Sequence, residues 1–241
     1  GEQGDRDSYS PSISADGRLV AFESHATNLV PGDTNGERDI FVRDRLTGIT
    51  ERVSVTSTGA EANNGGFFPS ISADGRFVAF VSYSHNLVPG DTNFRRDIFV
   101  RDRLTGVTER VNISGTGDEA NDGSDLPSIS ADGRFVAFVS LATNLVPGDA
   151  NGESDIFVRD RLTAVTERVN VSSTGAEAIV PAFPWYLPQA AGSPSISADG
   201  QFVAFESRAS NLVPGDTSYW YDVFVRHRAA GVTECVSVPP K

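Results

Sequence analysis

The sequence predicts an all-β fold: a β-propeller of four four-stranded antiparallel blades of about 58 residues each. Three observations carry this reading. The segment Pro-Ser-Ile-Ser-Ala-Asp-Gly begins at Pro11, Pro69, Pro127 and Pro194, at intervals of 58, 58 and 67 residues. A repeat of this length that cannot bury its own faces alone is the mark of a stacked array. Within each unit, short runs such as Leu19-Val-Ala-Phe22 and Ile40-Phe-Val42 are apolar on both faces, so both faces of the sheet must be covered. No stretch sustains a 3.6-residue apolar period, so helix is not expected.

Each unit reads as four strands. Strand A is Ser12–Ser14, and it turns at Asp16-Gly17, a dipeptide suited to tight hairpins because glycine accepts positive φ. Strand B is Arg18–Phe22. A long connection follows, in which Leu29 and Val30 pack on the blade and Pro31-Gly32 forms a turn. Strand C is Asp39–Asp44, Thr47-Gly48 makes the next turn, and strand D is Thr50–Val55, the most regularly alternating and hence the outer one. The blades are expected at about 10–58, 68–116, 126–174 and 193–238 of a single domain spanning 1–241. The third interval carries nine extra residues within 178–193. A closed four-bladed monomer is expected, with an assembly of chains or a fragment of a larger ring as the alternatives.

The formal charge of −12 makes a nucleic-acid partner unattractive, because like charges repel. No apolar run approaches the roughly 20 residues of a membrane-spanning helix. Cys235 is the single cysteine, so no intrachain disulfide is available, and it stands where the earlier units carry Arg52, Arg110 and Arg168.

The connection between strands B and C holds the most specific chemistry. It is Asn28-Leu-Val-Pro-Gly-Asp-Thr-Asn-Gly-Glu-Arg-Asp39 in the first unit, and it recurs from Asn86, Asn144 and Asn211. Oxygen-bearing side chains fall at positions 1, 3 and 7: Asp33, Asn35 and Asp39; Asp91, Asn93 and Asp97; Asp149, Asn151 and Asp155; Asp216, Ser218 and Asp222. Calcium takes about six to eight oxygens of this mixed kind. The carbonyl of Glu37, Arg95, Glu153 or Trp220 could complete the wrap, and Glu37 and Glu153 add carboxylates. Up to four Ca2+ ions, one per blade, are therefore expected. The first and third loops are best because Gly36 and Gly152 ease the bend, which Phe94 and Tyr219 occupy elsewhere. Metal-free turns are the competing reading, since Asp, Asn and Thr also cap local backbone.

Pro11 through Ser24, Pro-Ser-Ile-Ser-Ala-Asp-Gly-Arg-Leu-Val-Ala-Phe-Glu-Ser, resembles the repeat of TolB-like, WD40-like (PD40) propellers. The resemblance covers all four units and implies protein interaction more than chemistry. The long B–C connection sets this chain apart from a minimal blade of that kind.

No nucleophile elbow, HExxH, P-loop or dinucleotide fingerprint is present. His25, His85 and His227 share no repeated position and no metal-ligand spacing. The chain is therefore expected not to be an enzyme. Departures from the repeat mark a specialised surface: Trp185 and Tyr186 in the insertion, and Tyr219, Trp220 and Tyr221 in the fourth loop. The variable position after strand B (His25, Tyr83, Leu141, Arg208) is a second surface. The sequence thus points to a secreted, cell-surface or periplasmic binding module stabilised by calcium, with a protein partner. A carbohydrate-binding propeller is the first alternative, and a propeller hydrolase or lyase the second.

Overall fold

The computed structural model describes residues 2–180, 191–216 and 220–239. Sixteen strands form four antiparallel sheets of four. The first blade is β1 (Ser8–Ile13), β2 (Leu19–Ser24), β3 (Asp39–Asp44) and β4 (Thr50–Arg52). The second is β5 (Gly66–Ile71), β6 (Phe77–Ser82), β7 (Asp97–Asp102) and β8 (Val107–Arg110). The third is β9 (Ser124–Ile129), β10 (Phe135–Ser140), β11 (Asp155–Asp160) and β12 (Val165–Arg168), and the fourth is β13 (Ala191–Ile196), β14 (Phe202–Ser207), β15 (Asp222–His227) and β16 (Val232–Cys235). In every sheet the strands pair in chain order. The expected class holds, with two shifts in boundary. The inner strand starts four residues earlier than Ser12, and the outer strand of the first blade stops at Arg52 rather than Val55.

Each sheet is held by a phenylalanine pair between its two central strands. Phe22–Phe41, Phe80–Phe99, Phe138–Phe157 and Phe205–Phe224 have ring centroids 5.9, 5.9, 5.9 and 5.8 Å apart. Phe80, Phe99, Phe138 and Phe157 are fully buried, and burying such a ring contributes about 1.5–3 kcal/mol. Adjacent blades interlock through the A–B turns. Gly75, Gly133 and Gly200 have φ of 72°, 72° and 70°. Leu19, Phe77 and Phe135 of the preceding blade lie over them so closely that an added Cβ would stand 2.1, 2.1 and 2.2 Å away. Backbone bonds join the same turns: Ala15 N to Ala73 O, Ala73 N to Ala131 O and Ala131 N to Ala198 O, at 2.9, 3.0 and 3.0 Å.

The four inner strands share one irregularity. Their pairing with the second strand skips a step between Tyr9 and Ser12, Phe67 and Ser70, Asp125 and Ser128, and Gly192 and Ser195. Proline falls inside each skip, where its missing N–H removes no ladder bond. The residues before it, Ser10, Phe68, Leu126 and Ser193, adopt φ of 50°, 50°, 52° and 48°. Such bulges re-aim side chains. Here they line one side of a shared funnel of about 290 Å³, formed by those four residues and the four prolines after them.

Candidate functional site

In each of the first three blades an arginine from the outer strand enters the acidic loop. In the first blade Arg52 Nη1 lies 3.3 Å from Asp33, 3.1 Å from Asp39 and 2.5 Å from Glu61. In the second, Arg110 lies 3.4, 3.3 and 2.5 Å from Asp91, Asp97 and Glu119. In the third, Arg168 lies 3.1, 3.0 and 2.5 Å from Asp149, Asp155 and Glu177. The glutamate comes from the crossover to the next blade, and in the first two blades it also accepts from the loop threonine: Thr34 Oγ1 at 2.5 Å and Thr92 Oγ1 at 2.7 Å.

One positive charge thus faces three carboxylates in a largely buried setting. Burial, together with the neighbouring Asp97, pushes the Asp91 carboxyl up to about 6, and burial with Asp155 does the same to Asp149. Asp33, Asp39 and Asp97 are raised as well, chiefly by burial. Burial opposes ionisation of Glu119 too, but donation from Thr92 and Arg110 outweighs it and lowers its pKa. The seventh-position aspartate has a further donor in every blade: Ser54 to Asp39 at 2.6 Å, Asn112 to Asp97 and Asn170 to Asp155 at 2.5 Å, and Ser237 to Asp222 at 2.7 Å.

The third-position amide faces the other way from a metal ligand. Asn35 Oδ1 accepts from Glu37 N at 2.9 Å, while its Nδ2 donates to Asp39 at 3.2 Å. Asn93 and Asn151 repeat this, with Oδ1 accepting from Arg95 N and Glu153 N. The loops are therefore braced by an internal cation in this arrangement. A calcium ion and the guanidinium would draw on the same oxygens. The carboxylate oxygens of Asp33, Asp39 and Glu61, and of Asp91, Asp97 and Glu119, lie within 4.8 Å of one another, close enough to share an ion if the arginine swings away. The bend at Gly36 and Gly152 has φ of 70° in both, and Phe94 takes the same left-handed conformation at 56°. In the fourth blade, Ser218 and Tyr219 lie outside the described residues.

A second cluster joins the inner strands to the ends of the B–C loops, and Phe68 connects it to the funnel lining. The guanidinium carbon of Arg38 lies 5.2 Å from the Tyr9 ring centroid and 5.0 Å from that of Phe67, within cation–π range. Its Nη1 donates to the buried Glu23 at 2.9 Å, and Glu23 also accepts from Phe68 N at 2.7 Å. Phe67 meets Tyr83 edge-on at 6.3 Å, and Arg96 lies over Tyr83 at 5.7 Å while pairing with Asp125. Phe68 and Tyr83 are exposed. Of the variable position after strand B, Tyr83 belongs to this cluster and His25 meets it through Arg38, while in the fourth blade Arg208 stacks on Tyr221 at 4.3 Å. Trp220 is 77% exposed, and Trp185 and Tyr186 lie outside the described residues. The histidines do not converge: His25 accepts from Arg38, His85 bonds Asn63, and His227 stacks on Phe202.

Spacing alone found the loop carboxylates but missed Arg52, Arg110 and Arg168 and their glutamate partners. Their own recurrence, arginine at 52, 110 and 168 with glutamate at 61, 119 and 177, was the available signal.

The overall architecture is that of TolB-like β-propellers. TolB from Acinetobacter baumannii superposes with a TM-score of 0.54 at 22% identity, over 96% of this chain and 43% of that one. A putative TolB from Agrobacterium tumefaciens gives 0.57 at 18%, over 94% and 63%. An oligogalacturonate lyase, solved in complex with manganese, gives 0.56 at 14%, over 98% and 54%. The chain therefore spans roughly half the length of these relatives. No family model matches the sequence, and no curated protein matches it.

Proposed function

We propose that the chain is a non-catalytic binding module that takes an extended protein segment at the mouth of its funnel. The observation that carries this reading is the cluster of Tyr9, Phe67, Phe68, Tyr83, Arg38 and Arg96, of which Phe68 lines the funnel. Tyrosine and arginine dominate the energetics of protein interfaces. Both arginines are already balanced, by Glu23 and Asp125, so the mouth favours aromatic or proline side chains over a strongly charged ligand. The funnel lining offers two serine hydroxyls and no ionisable side chain, which supports binding over hydrolysis or lyase chemistry. Among the described residues no helix is long and apolar enough to cross a membrane. A role outside the cytoplasm, in contact with other proteins, is part of the proposal.

Selection from a random-peptide library against the immobilised chain is expected to enrich aromatic- and proline-containing peptides. Phe68→Ala should weaken the selected peptides at least tenfold, with Trp220→Ala silent. Glycan-array binding that disappears in Trp220→Ala and survives in Phe68→Ala would instead establish the carbohydrate reading.

Calcium bracing of the B–C loops belongs to the same proposal as an exchange of cations at an existing cluster, supported by the grouped carboxylates of the first two blades. Thermal unfolding in millimolar calcium is expected to show a midpoint several degrees above that in EGTA. Coincident midpoints would leave the arginines as the only brace.

A further inference from the structure

The blade interfaces are directional, and the two outer edges of the array carry opposite halves of one of them. At each internal interface the first residue of the second strand covers the A–B glycine of the next blade: Leu19 on Gly75, Phe77 on Gly133, Phe135 on Gly200. Phe202 is the fourth such side chain, and it is 41% exposed where Phe135 is 7%. Gly17 is the fourth such glycine, and among the described residues only Arg45 and Ile13 of its own blade, each at 3.9 Å, approach the position of its Cβ.

Polar groups repeat the asymmetry. Ser12, Ser70 and Ser128 Oγ accept from the backbone N–H of Ile71, Ile129 and Ile196 in the next blade at 3.1, 3.2 and 3.1 Å. Ser195 is exposed, and Ile13 is 58% exposed against 7% for Ile71. Arg103, Arg161 and Arg228 pair with Glu51, Glu109 and Glu167 of the preceding blade. The leftover members of that series are Arg45 on the first blade and Glu234 on the fourth.

One substitution pattern shows what meets these edges. Asn86, Asn144 and Asn211 Nδ2 donate to the backbone oxygens of Glu61, Glu119 and Glu177, the glutamates that also hold the arginines. Asn28 Nδ2 donates in the same way to Gln3 O at 2.9 Å. Gln3 therefore occupies the glutamate position, and Cys235 occupies the arginine position. The one unit that lacks the arginine and the one that lacks the glutamate are those that a fourth interface would bring together, and losing both at once keeps the charge balanced.

We propose that the fourth blade of one copy docks on the first blade of a second copy, head to tail, with Phe202 seated on the partner's Gly17. The occupant follows from continuity with the three internal interfaces. Among the described residues only Arg45 and Ile13 of the same blade come within 4 Å of the Gly17 Cβ position, and two copies supply both missing halves at once. A head-to-tail contact of this kind closes when the rotation allows; two four-bladed arcs then make one ring with two identical junctions, around which the funnel is complete.

Sedimentation equilibrium of the 241-residue chain should give about twice the 25.7 kDa chain mass. Phe202→Asp and Gly17→Asn should each shift it to one chain mass with unchanged circular dichroism. Asparagine tolerates the left-handed conformation, so the second variant separates lost docking from lost folding. As a placement test, Gln3→Cys treated with a short bis-maleimide should join to Cys235 of another copy and run as a covalent dimer, and adding Cys235→Ser should abolish it. A single chain mass at all concentrations, or a cross-link confined to one chain, would overturn the proposal and place the chain's own first blade at the junction.

Discussion

Arg110→Ala is expected to destabilise the protein by about 3–5 kcal/mol, the usual cost of removing one partner from a buried ionic cluster. The side chain contacts Asp91, Asp97 and Glu119 at once. Without it three carboxylates face one another with no counter-charge, and Asp91 is already pushed up to about 6 with the arginine in place. The chemical-denaturation midpoint should fall accordingly, with the slope unchanged if the blade stays folded. Two further measurements locate the cause. Adding Glu119→Gln to the variant should recover part of the loss, because one of the opposing charges is gone. Millimolar calcium should recover more in Arg110→Ala than it adds to the unaltered protein, because the vacated centre lies among oxygens within 4.8 Å of one another. A loss below about 1 kcal/mol, in the range of exposed ion pairs, would show that the cluster is solvated and braces nothing.

Gly133→Ala is expected to cost about 2–4 kcal/mol, combining left-handed strain with overpacking. The φ of 72° already disfavours any side chain, and the new Cβ would stand 2.1 Å from Cδ2 of Phe77. Phe77 has little freedom to withdraw, since Arg76 and Arg161 lie over its ring at 4.6 and 4.5 Å. Gly36→Ala is the control: φ is 70° there too, but nothing lies within 4 Å of the added atom. It should cost only the strain, about 1 kcal/mol. Equal losses at the two positions would mean that the ring-on-glycine contact contributes nothing to holding adjacent blades together.

These two positions also show what a sequence can and cannot convey about such a molecule. The period, the Asp-Gly turns and the two-sided apolar strands are local patterns, and they specify the blades before any coordinates. Pro11 hides the start of the inner strand in the sequence, because the bulge that absorbs the proline lets pairing continue back to Ser8. The outer strand ends sooner than its alternation suggests, because Ser54 turns inward to donate to Asp39. The loop carboxylates were visible as a spacing. Arg52, thirteen residues from Asp39, was not, because adjacency across a strand pairing is a property of the register. The aromatic and arginine cluster is less legible still, since Tyr9, Arg38, Phe67 and Tyr83 come from distant points of the chain and meet only where neighbouring blades pack.

The four bulges at the mouth separate shape from chemistry. Serine, phenylalanine, leucine and serine hold nearly the same left-handed geometry at equivalent points, with φ between 48° and 52°. The backbone path is thus imposed by the neighbouring proline and the flanking ladder, and the identity of the side chain there is nearly free. A protein so constructed can change the chemistry of its rim by point substitution while its folding instructions stay in the repeated frame, much as variable loops change on a constant sandwich.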